Sequence, residues 1–446
     1  MKFDDLQRQL SAIPAYEVRG QVSECRSTSV ICDGLQSMVS IGDLCRIEPV
    51  AAKRDDAIMA EVMAIRAEGA VLLPYDQLHG IGLGATVRLD TSSATIRPTA
   101  NWLGRVIDPM GKPLDSGKPL EEGHADYPIR ARAVPAHKRR GLGDRLNLGV
   151  RALNLFTPCR NGQRLGIFAG TGVGKTTLLS MLAQHSGAEA LVLGLIGERG
   201  RELHGFLNGG LGEAGLARSV VVVATSDMPA MQRRRAAETT LAIAEGLRDQ
   251  GLSVLCLIDS VTRYAMALRE IYLAAGEPPT AKGYPPSVFT EMPKLLERAG
   301  PGEGEAGITG LFTVLVEGDD LNDPIADAVR GILDGHIVLD RKIAEQGRFP
   351  AIDVLKSLSR TAPGCYEPHE RPFVEESRRL LRLYEDVAEL IQLGAYRLGT
   401  DPQTDRAIQL QGAFEELLKQ REDEQCTIQE DFTRLAEILQ VTPDET

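Results

Sequence analysis

Apolar positions along the chain follow two different rhythms. From Tyr16 to about Pro98, short β-branched runs such as CRSTSVICDGLQSMVSIGDLCRIEPV and GIGLGATVRLD alternate with glycine turns, and evenly spaced short strands of this kind predict a small antiparallel barrel. From about Leu146 to Arg360 the runs RLGIFAG, EALVLGLIG, SVVVVATS, SVLCLIDS and TGLFTVLVEGD are almost uninterrupted by polar residues. Strands with no polar face are covered on both sides, as in a largely parallel sheet. The intervening QRRRAAETTLAIAEGLRDQG has helical periodicity and a glycine stop. The Pro-, Gly- and charge-rich stretch between Asp108 and Gly143 reads as a connection laid over a surface. After Cys365, FVEESRRLLRLYEDVAELIQLGAY reads as amphipathic helix. The predicted fold class is therefore α/β, with a β-barrel before the central domain and a helical domain after it. Phe3, Leu6, Leu10 and Ile13 form a further helical stripe at the N-terminus, suited to docking on a partner or on the chain's own barrel.

Composition adds exclusions. With 446 residues, 43% apolar and 25% charged, the chain has the balance of a globular protein with ample core. No run approaches the roughly 18 apolar residues that span a bilayer, and acidic residues in MKFDDLQRQLSAIPAYEV stand where a signal peptide is basic and apolar. A cytoplasmic protein is the expectation. The seven cysteines, Cys25 to Cys426, show no CxxC spacing, which argues against a disulfide framework or structural zinc. A net charge of −12 does not favour a nucleic-acid partner, because phosphate contacts need a concentrated basic surface.

The most specific local signal is Ala169-Gly170-Thr171-Gly172-Val173-Gly174-Lys175-Thr176, between the strand RLGIF and the helical TLLSMLAQ. Glycines there let successive N–H groups curl around phosphate oxygens, and the following helix offers the positive end of its dipole. The candidate nucleotide-binding set is Gly170, Thr171, Gly172, Val173, Gly174, Lys175, Thr176 and Thr177, with Lys175 reaching the β- and γ-phosphates of ATP and the Thr176 hydroxyl on Mg²⁺. Ala169 departs from the glycine of the strict motif by one methyl group at the loop's edge. The strand SVLCLID ends in Asp259, the candidate second Mg²⁺ anchor. Glu198 leaves the strand ALVLGLIG at the same sheet edge, the candidate carboxylate to orient and polarise an attacking water. Arg201 and Glu202 read as a surface ion-pair face.

Taken together, AGTGVGKT, GLIGERGRE, LCLIDSVTRYA, GYPPSVFTEMPKLLERAG, EGDDLNDPIAD, FPAIDVLKSLSR and GRVIDPMGKPLD resemble the rotary ATP synthase catalytic-subunit family, and most closely its type III secretion branch, over roughly residues 20 to 415. The resemblance implies a RecA-like P-loop ATPase domain and a homohexamer with ATP at subunit boundaries. The expected divisions are an N-terminal helical segment (1–18), the barrel (19–98), the ATPase domain (99–365) and the helical domain (366–446). It also implies Arg199 and Arg263 near the γ-phosphate, Phe349 against the adenine, and Arg360 as the arginine offered to a neighbouring subunit's γ-phosphate. The segment from Gly283 to Gly300 resembles the loop that faces an axial stalk-like protein in the ring channel. Further partners implied are a stator-like regulatory protein at the N-terminus, a membrane export gate, and export substrates with their chaperones, with the protein peripheral at the inner face of the export apparatus.

Within the branch, GAYRLGTDPQTDRAI, from Gly394, looks more like the flagellar form than the virulence-type form, which stays the alternative. A non-catalytic ring subunit lacks the carboxylate that Glu198 supplies. An RNA translocase of the same fold needs basic and stacking aromatic residues in its N-terminal domain, where this chain has few. Neither HExxH nor GxSxG occurs, which removes zinc-hydrolase and serine-nucleophile readings.

Overall fold

A computed structural model describes residues 17–439, apart from 50–56, 91–93, 116, 317 and 319–322. The N-terminal stripe from Phe3 to Ile13 lies outside the described residues. Six short strands, β1 (Arg19–Cys25), β2 (Val30–Asp33), β3 (Leu44–Ile47), β4 (Ile58–Arg66), β5 (Gly69–Pro74) and β6 (Thr86–Asp90), close into an antiparallel barrel in the order β1-β2-β5-β4-β3-β6. Alternation explains the closure: Val22, Val30, Cys32, Ile47, Val62 and Leu72 point inward and pack together while polar neighbours face out.

The central sheet is built from β7 (Arg105–Ile107), β8 (Arg164–Ala169), β9 (Ala190–Glu198), β10 (Ser219–Thr225), β11 (Val254–Asp259), β12 (Gly307–Leu315), β13 (Gly335–Leu339) and β14 (Ile352–Ser359), in the spatial order β14-β13-β8-β12-β11-β9-β10-β7. Strands β7 to β13 run parallel, and β14 turns back antiparallel on β13. The continuous apolar runs are explained by two cores. On β9, Leu191, Leu193 and Leu195 face one layer, and Ala190, Val192 and Ile196 face the other. The first layer continues into the C-terminal helices through Phe373, Leu380, Phe414 and Leu435, so the helical domain shares a core with the sheet. Strand β7 lies at the start of the Pro- and Gly-rich stretch, and its three residues pair with Val220–Val222 of β10, too short a run for periodicity to reveal. All seven cysteines are free thiols, and six of them are buried.

The barrel is fastened to the sheet domain by charge as well as apolar contact. Helix α3, here numbered after α1 (Arg151–Phe156) and α2 (Lys175–His185), spans Ala230–Asp249. Its Arg234, with a side chain only 1% exposed, pairs with Glu61 of β4, at 2% exposure. Glu61 also accepts from Tyr75 at 2.7 Å and from Arg130 at 2.8 Å. Burial alone would raise the Glu61 pKa, but Arg234 and Arg130 outweigh it and hold the carboxyl below its usual range. A buried pair is costly to half-remove, because the surviving charge stays desolvated.

Glu61→Gln is therefore expected to destabilise the protein by about 3–5 kcal/mol, read as the shift in a urea midpoint. Because the folded pKa is depressed, the stability Glu61 contributes is complete above the ordinary carboxylate value of about 4.3 and is lost as pH falls through its folded value. The variant should lose less stability than the parent on acidification through that window. Equal midpoints for both proteins at neutral pH would show that the pair does not hold the barrel.

Candidate active site

Strand β8 ends at Ala169, and helix α2 begins at Lys175, so residues 170–174 form a tight turn at the C-terminal edge of the sheet. Gly172 and Gly174 adopt left-handed φ values of 77° and 91°, which a side chain disfavours. The space over Gly172 is open, leaving room for a ligand against the backbone. Ala169 is buried and paired with Leu315 and Leu339, so its methyl belongs to the strand and leaves the turn unaltered.

Three charged side chains converge beneath the turn. The Lys175 Nζ lies 2.5 Å from Asp259 Oδ1 and 3.2 Å from Glu198 Oε1, with all three side chains at most 16% exposed. Adjacent parallel strands β9 and β11 bring the two carboxylates to one edge, since Leu195 lies in register with Asp259. Burial raises the Glu198 pKa, and the Asp259 charge adds to the effect, so that Lys175 only partly offsets them. For Lys175, burial opposes the charge, yet Asp259 and Glu198 outweigh it and keep the pKa above the usual lysine value. The site is thus a cation held between two carboxylates, ready to exchange them for phosphate oxygens. Thr176, Glu198, Glu202 and Asp259 line a small cavity here.

Thr313, near the C-terminal end of β12 and fully buried, donates to Asp259 Oδ1 at 2.6 Å. It was not among the sequence candidates, although a threonine inside the apolar run TGLFTVLVEGD is the signal that could have marked it. Arg263 packs along Gly197, immediately before Glu198, and its N–H bonds Ser260 Oγ. Its Nε is buried without a hydrogen-bond partner among the described residues. Arg199 behaves differently: its side chain is 81% exposed and its ion-pair contact is Glu202 at 4.0 Å, so it does not join the buried triad. Thr171 and Thr177 stay with the turn and the first turn of α2, where the Thr171 carbonyl accepts from Arg341 at 3.1 Å.

Phe349 sits beside the turn with its ring edge against Gly174, and it is one of the few large apolar residues left 38% exposed. Its carbonyl accepts the Gln420 N–H at 2.9 Å, which ties the position to the C-terminal domain. Arg360 lies elsewhere. It follows β14, and its N–H bonds the Asp334 carbonyl at the start of β13, beside Arg164 at the start of β8. At about 3.3 Å per residue, the six residues of β8 separate Arg360 from its own phosphate turn by roughly 17 Å. Its side chain is exposed and makes no hydrogen bond or ion pair with the described residues.

A strand, a glycine turn opening a helix, and carboxylates at the ends of two neighbouring strands are shared by many nucleotide-binding folds, so kinship has to come from the whole chain. Residues 149–359 match a family model described as ATP synthase alpha/beta family, nucleotide-binding domain, and residues 366–437 match the T3SS EscN ATPase C-terminal domain. The flagellum-specific ATP synthase of Caulobacter vibrioides is 54% identical over 95% of this chain and 96% of its own.

The chain belongs to the ATP synthase alpha/beta family. Within that family it groups with the flagellum-specific ATP synthases and the type III secretion ATPases, and the nucleotide of this P-loop is ATP. Among solved structures, the assembled ATPase EscN from the enteropathogenic E. coli type III secretion system superposes with a TM-score of 0.88 at 39% identity, covering 94% of this chain and 100% of that one. EscN in complex with its central stalk EscO gives a TM-score of 0.85 at 38% identity with the same coverage. The RecA-like domain between barrel and helices, expected from the motifs, is the architecture observed. No helix among the described residues is long and apolar enough to cross a membrane.

The geometry of the ATP turn makes Gly174 its most sensitive position. Gly174→Ala forces a left-handed alanine and puts a methyl about 3.1 Å from the Phe349 ring. It should cost about 1–2 kcal/mol in stability from the backbone alone and weaken binding of a fluorescent ATP analogue. Unchanged melting and unchanged binding would show that the turn tolerates a side chain there.

Proposed function

We propose that this protein hydrolyses Mg-ATP in a homohexameric ring and that the energy serves bacterial type III protein export for flagellar assembly. The observation that carries the reading is the separation just described: Lys175, Glu198 and Asp259 meet at one edge of the sheet, while Arg360 stands exposed at the other. In a ring, the second edge of one subunit faces the first edge of the next, so each chain supplies both halves of a shared site.

The lining of the site suits Mg²⁺. It offers the Thr176 hydroxyl and carboxylate oxygens, while no group of three His, Cys, Asp or Glu side chains among the described residues would enclose a metal unaided. That fits an ion that keeps waters and shares the substrate's phosphates. Thr176 and Asp259 would hold it, and Thr313 fixes the Asp259 carboxylate. When bound, Mg²⁺ neutralises charge on the β- and γ-phosphate oxygens. Lys175 leaves its carboxylate partners for those oxygens, the N–H groups of residues 170–174 cradle them, and Phe349 presents an apolar face to the adenine. Glu198 accepts a hydrogen bond from the attacking water and orients it in line. Burial holds its pKa above the ordinary carboxylate value, which improves it as a proton acceptor. Arg263 stands behind Glu198 on the γ-phosphate side, and Arg360 of the neighbouring subunit stabilises the transferring phosphoryl group.

In such a ring the segment from Gly283 to Gly300 faces an axial stalk-like protein, a partner of the kind that the EscN–EscO complex supports. A stator-like regulatory protein at the N-terminus, a membrane export gate, and export substrates and chaperones complete the proposed partners, with the protein cytoplasmic and peripheral at the membrane apparatus. A virulence-type system is the second reading, favoured by the EscN likeness. Restoration of swimming in a bacterium deleted for its flagellum-specific ATP synthase separates the two, since the virulence reading expects no recovery of motility.

Glu198→Gln should keep ATP binding and lower turnover about 10²–10⁴-fold, and Arg360→Ala should do so about 10³–10⁵-fold. Normal turnover in either variant removes that residue from its role. Specific activity should also rise with protein concentration until rings saturate. An active species that sizes as a monomer would overturn the shared site.

A further inference from the structure

Arg360 has a free side chain but a closely held backbone, and one buried residue does most of the holding. Gln163 is fully buried in the turn that leads into β8. Its Nε2 donates to Ser359 Oγ at 2.9 Å, and its Oε1 accepts from Thr361 Oγ1 at 2.7 Å. The two hydroxyls lie 3.1 Å apart. With the Ser359 hydroxyl donating to Thr361, the three groups form a closed cycle, Gln163 to Ser359 to Thr361 and back to Gln163, in which each group both donates and accepts. The cycle grips the residue on each side of Arg360. The Gln163 Oε1 also accepts the Arg160 N–H at 2.9 Å, and the Gln163 backbone carbonyl accepts the Gly310 N–H at 2.9 Å, which anchors the residue to the sheet. From the other side, the Arg360 N–H bonds the Asp334 carbonyl, and the Asp334 carboxylate is fixed by the Arg164 backbone N–H at 3.0 Å.

We propose that Gln163 is a positioning residue for Arg360, setting the backbone from which the arginine reaches the neighbouring subunit's ATP. This rests on the reading of Arg360 as a group supplied in trans. A six-atom arginine side chain magnifies any drift of its Cα, and a displacement of about 1 Å in a reacting group can cost about 10²-fold in rate. Gln163 also opens the strand that ends in its own chain's phosphate turn. The same three hydrogen bonds therefore connect β8, and through it the phosphate turn, to the arginine proposed to serve the next site.

A structural role at the chain's own P-loop would also lower activity, so the test asks which subunit carries the defect. Arg360→Ala subunits, with an intact ATP face, mixed with Glu198→Gln subunits, with an intact arginine, should regain activity at the interfaces where the two intact halves meet. Gln163→Met fills the same space and removes the cycle. Introduced into the Glu198→Gln subunit, which donates the arginine, it should cut the recovered turnover about ten- to a hundredfold with the KM for ATP unchanged. Introduced into the Arg360→Ala subunit, which binds ATP, it should leave the recovery intact. Recovery lost only with the second arrangement, or unaffected in both, overturns the positioning role. Absence of recovery in the parent mixture overturns the trans reading itself and this inference with it. Should Gln163→Met not fold, Thr361→Val opens the same cycle from its outer member and carries the same expectations.

Discussion

Everything at the nucleotide site turns on one buried ammonium. Glu198 and Asp259 end neighbouring parallel strands, so the sheet itself forces two carboxylates together in a poorly solvated corner. Without a cation between them, mutual repulsion and desolvation would neutralise one of the pair. Lys175 supplies that cation because the phosphate turn delivers the first residue of α2 to the same edge. The interaction is made of groups that phosphate and a divalent ion can replace. On the proposed reading, binding of ATP is an exchange of partners among charges that already face each other, which limits the reorganisation the ligand must impose. Thr313 contributes from the sheet interior, where a single hydroxyl fixes the carboxylate orientation at no cost in exposed surface.

The second constraint is the length of a strand. The sheet puts the phosphate turn at the C-terminal ends of its strands and Arg360 at the opposite ends, and a strand cannot be shortened to bring them together. On the proposed reading of Arg360, a chain with this topology completes its site only with another copy. Under that reading activity is a property of the assembly, and the hydrogen-bonded cycle around Arg360 has a purpose that no isolated subunit would give it. Gln163, at the foot of the strand whose head is the phosphate turn, is where the two edges are mechanically joined.

The barrel and the helical domain are attached by different physics. The helical domain extends the apolar core below the sheet and reaches the rim of the phosphate turn through the Gln420–Phe349 hydrogen bond. The barrel meets the sheet domain through a smaller apolar patch, including Leu73, Tyr75 and Met231, and through the Glu61–Arg234 pair. Directional charge pairing suits a joint that must keep its orientation, because a slipped geometry would strand desolvated charges.

Much of the molecule could be read from local pattern. The barrel rhythm, the five apolar strands, the phosphate turn, Asp259 and Glu198 are encoded in contiguous residues, because period, glycine placement and a carboxylate ending an apolar run are all short-range signals. Family motifs added Phe349 and Arg360, whose placement at the turn and at the far edge no spacing rule supplies. The sequence did not reveal the partners. Thr313 reaches Asp259 across 54 residues, Gln163 reaches Thr361 across 198, and Arg234 reaches Glu61 across 173. Each of these polar residues sits in a stretch whose pattern is already accounted for by helix or strand. Only the packed fold, by removing water, decided which distant group each must satisfy. It likewise left Arg199 in solvent while drawing Arg263 against Gly197, a distinction between two arginines that depends on which side of the sheet edge each chain segment leaves.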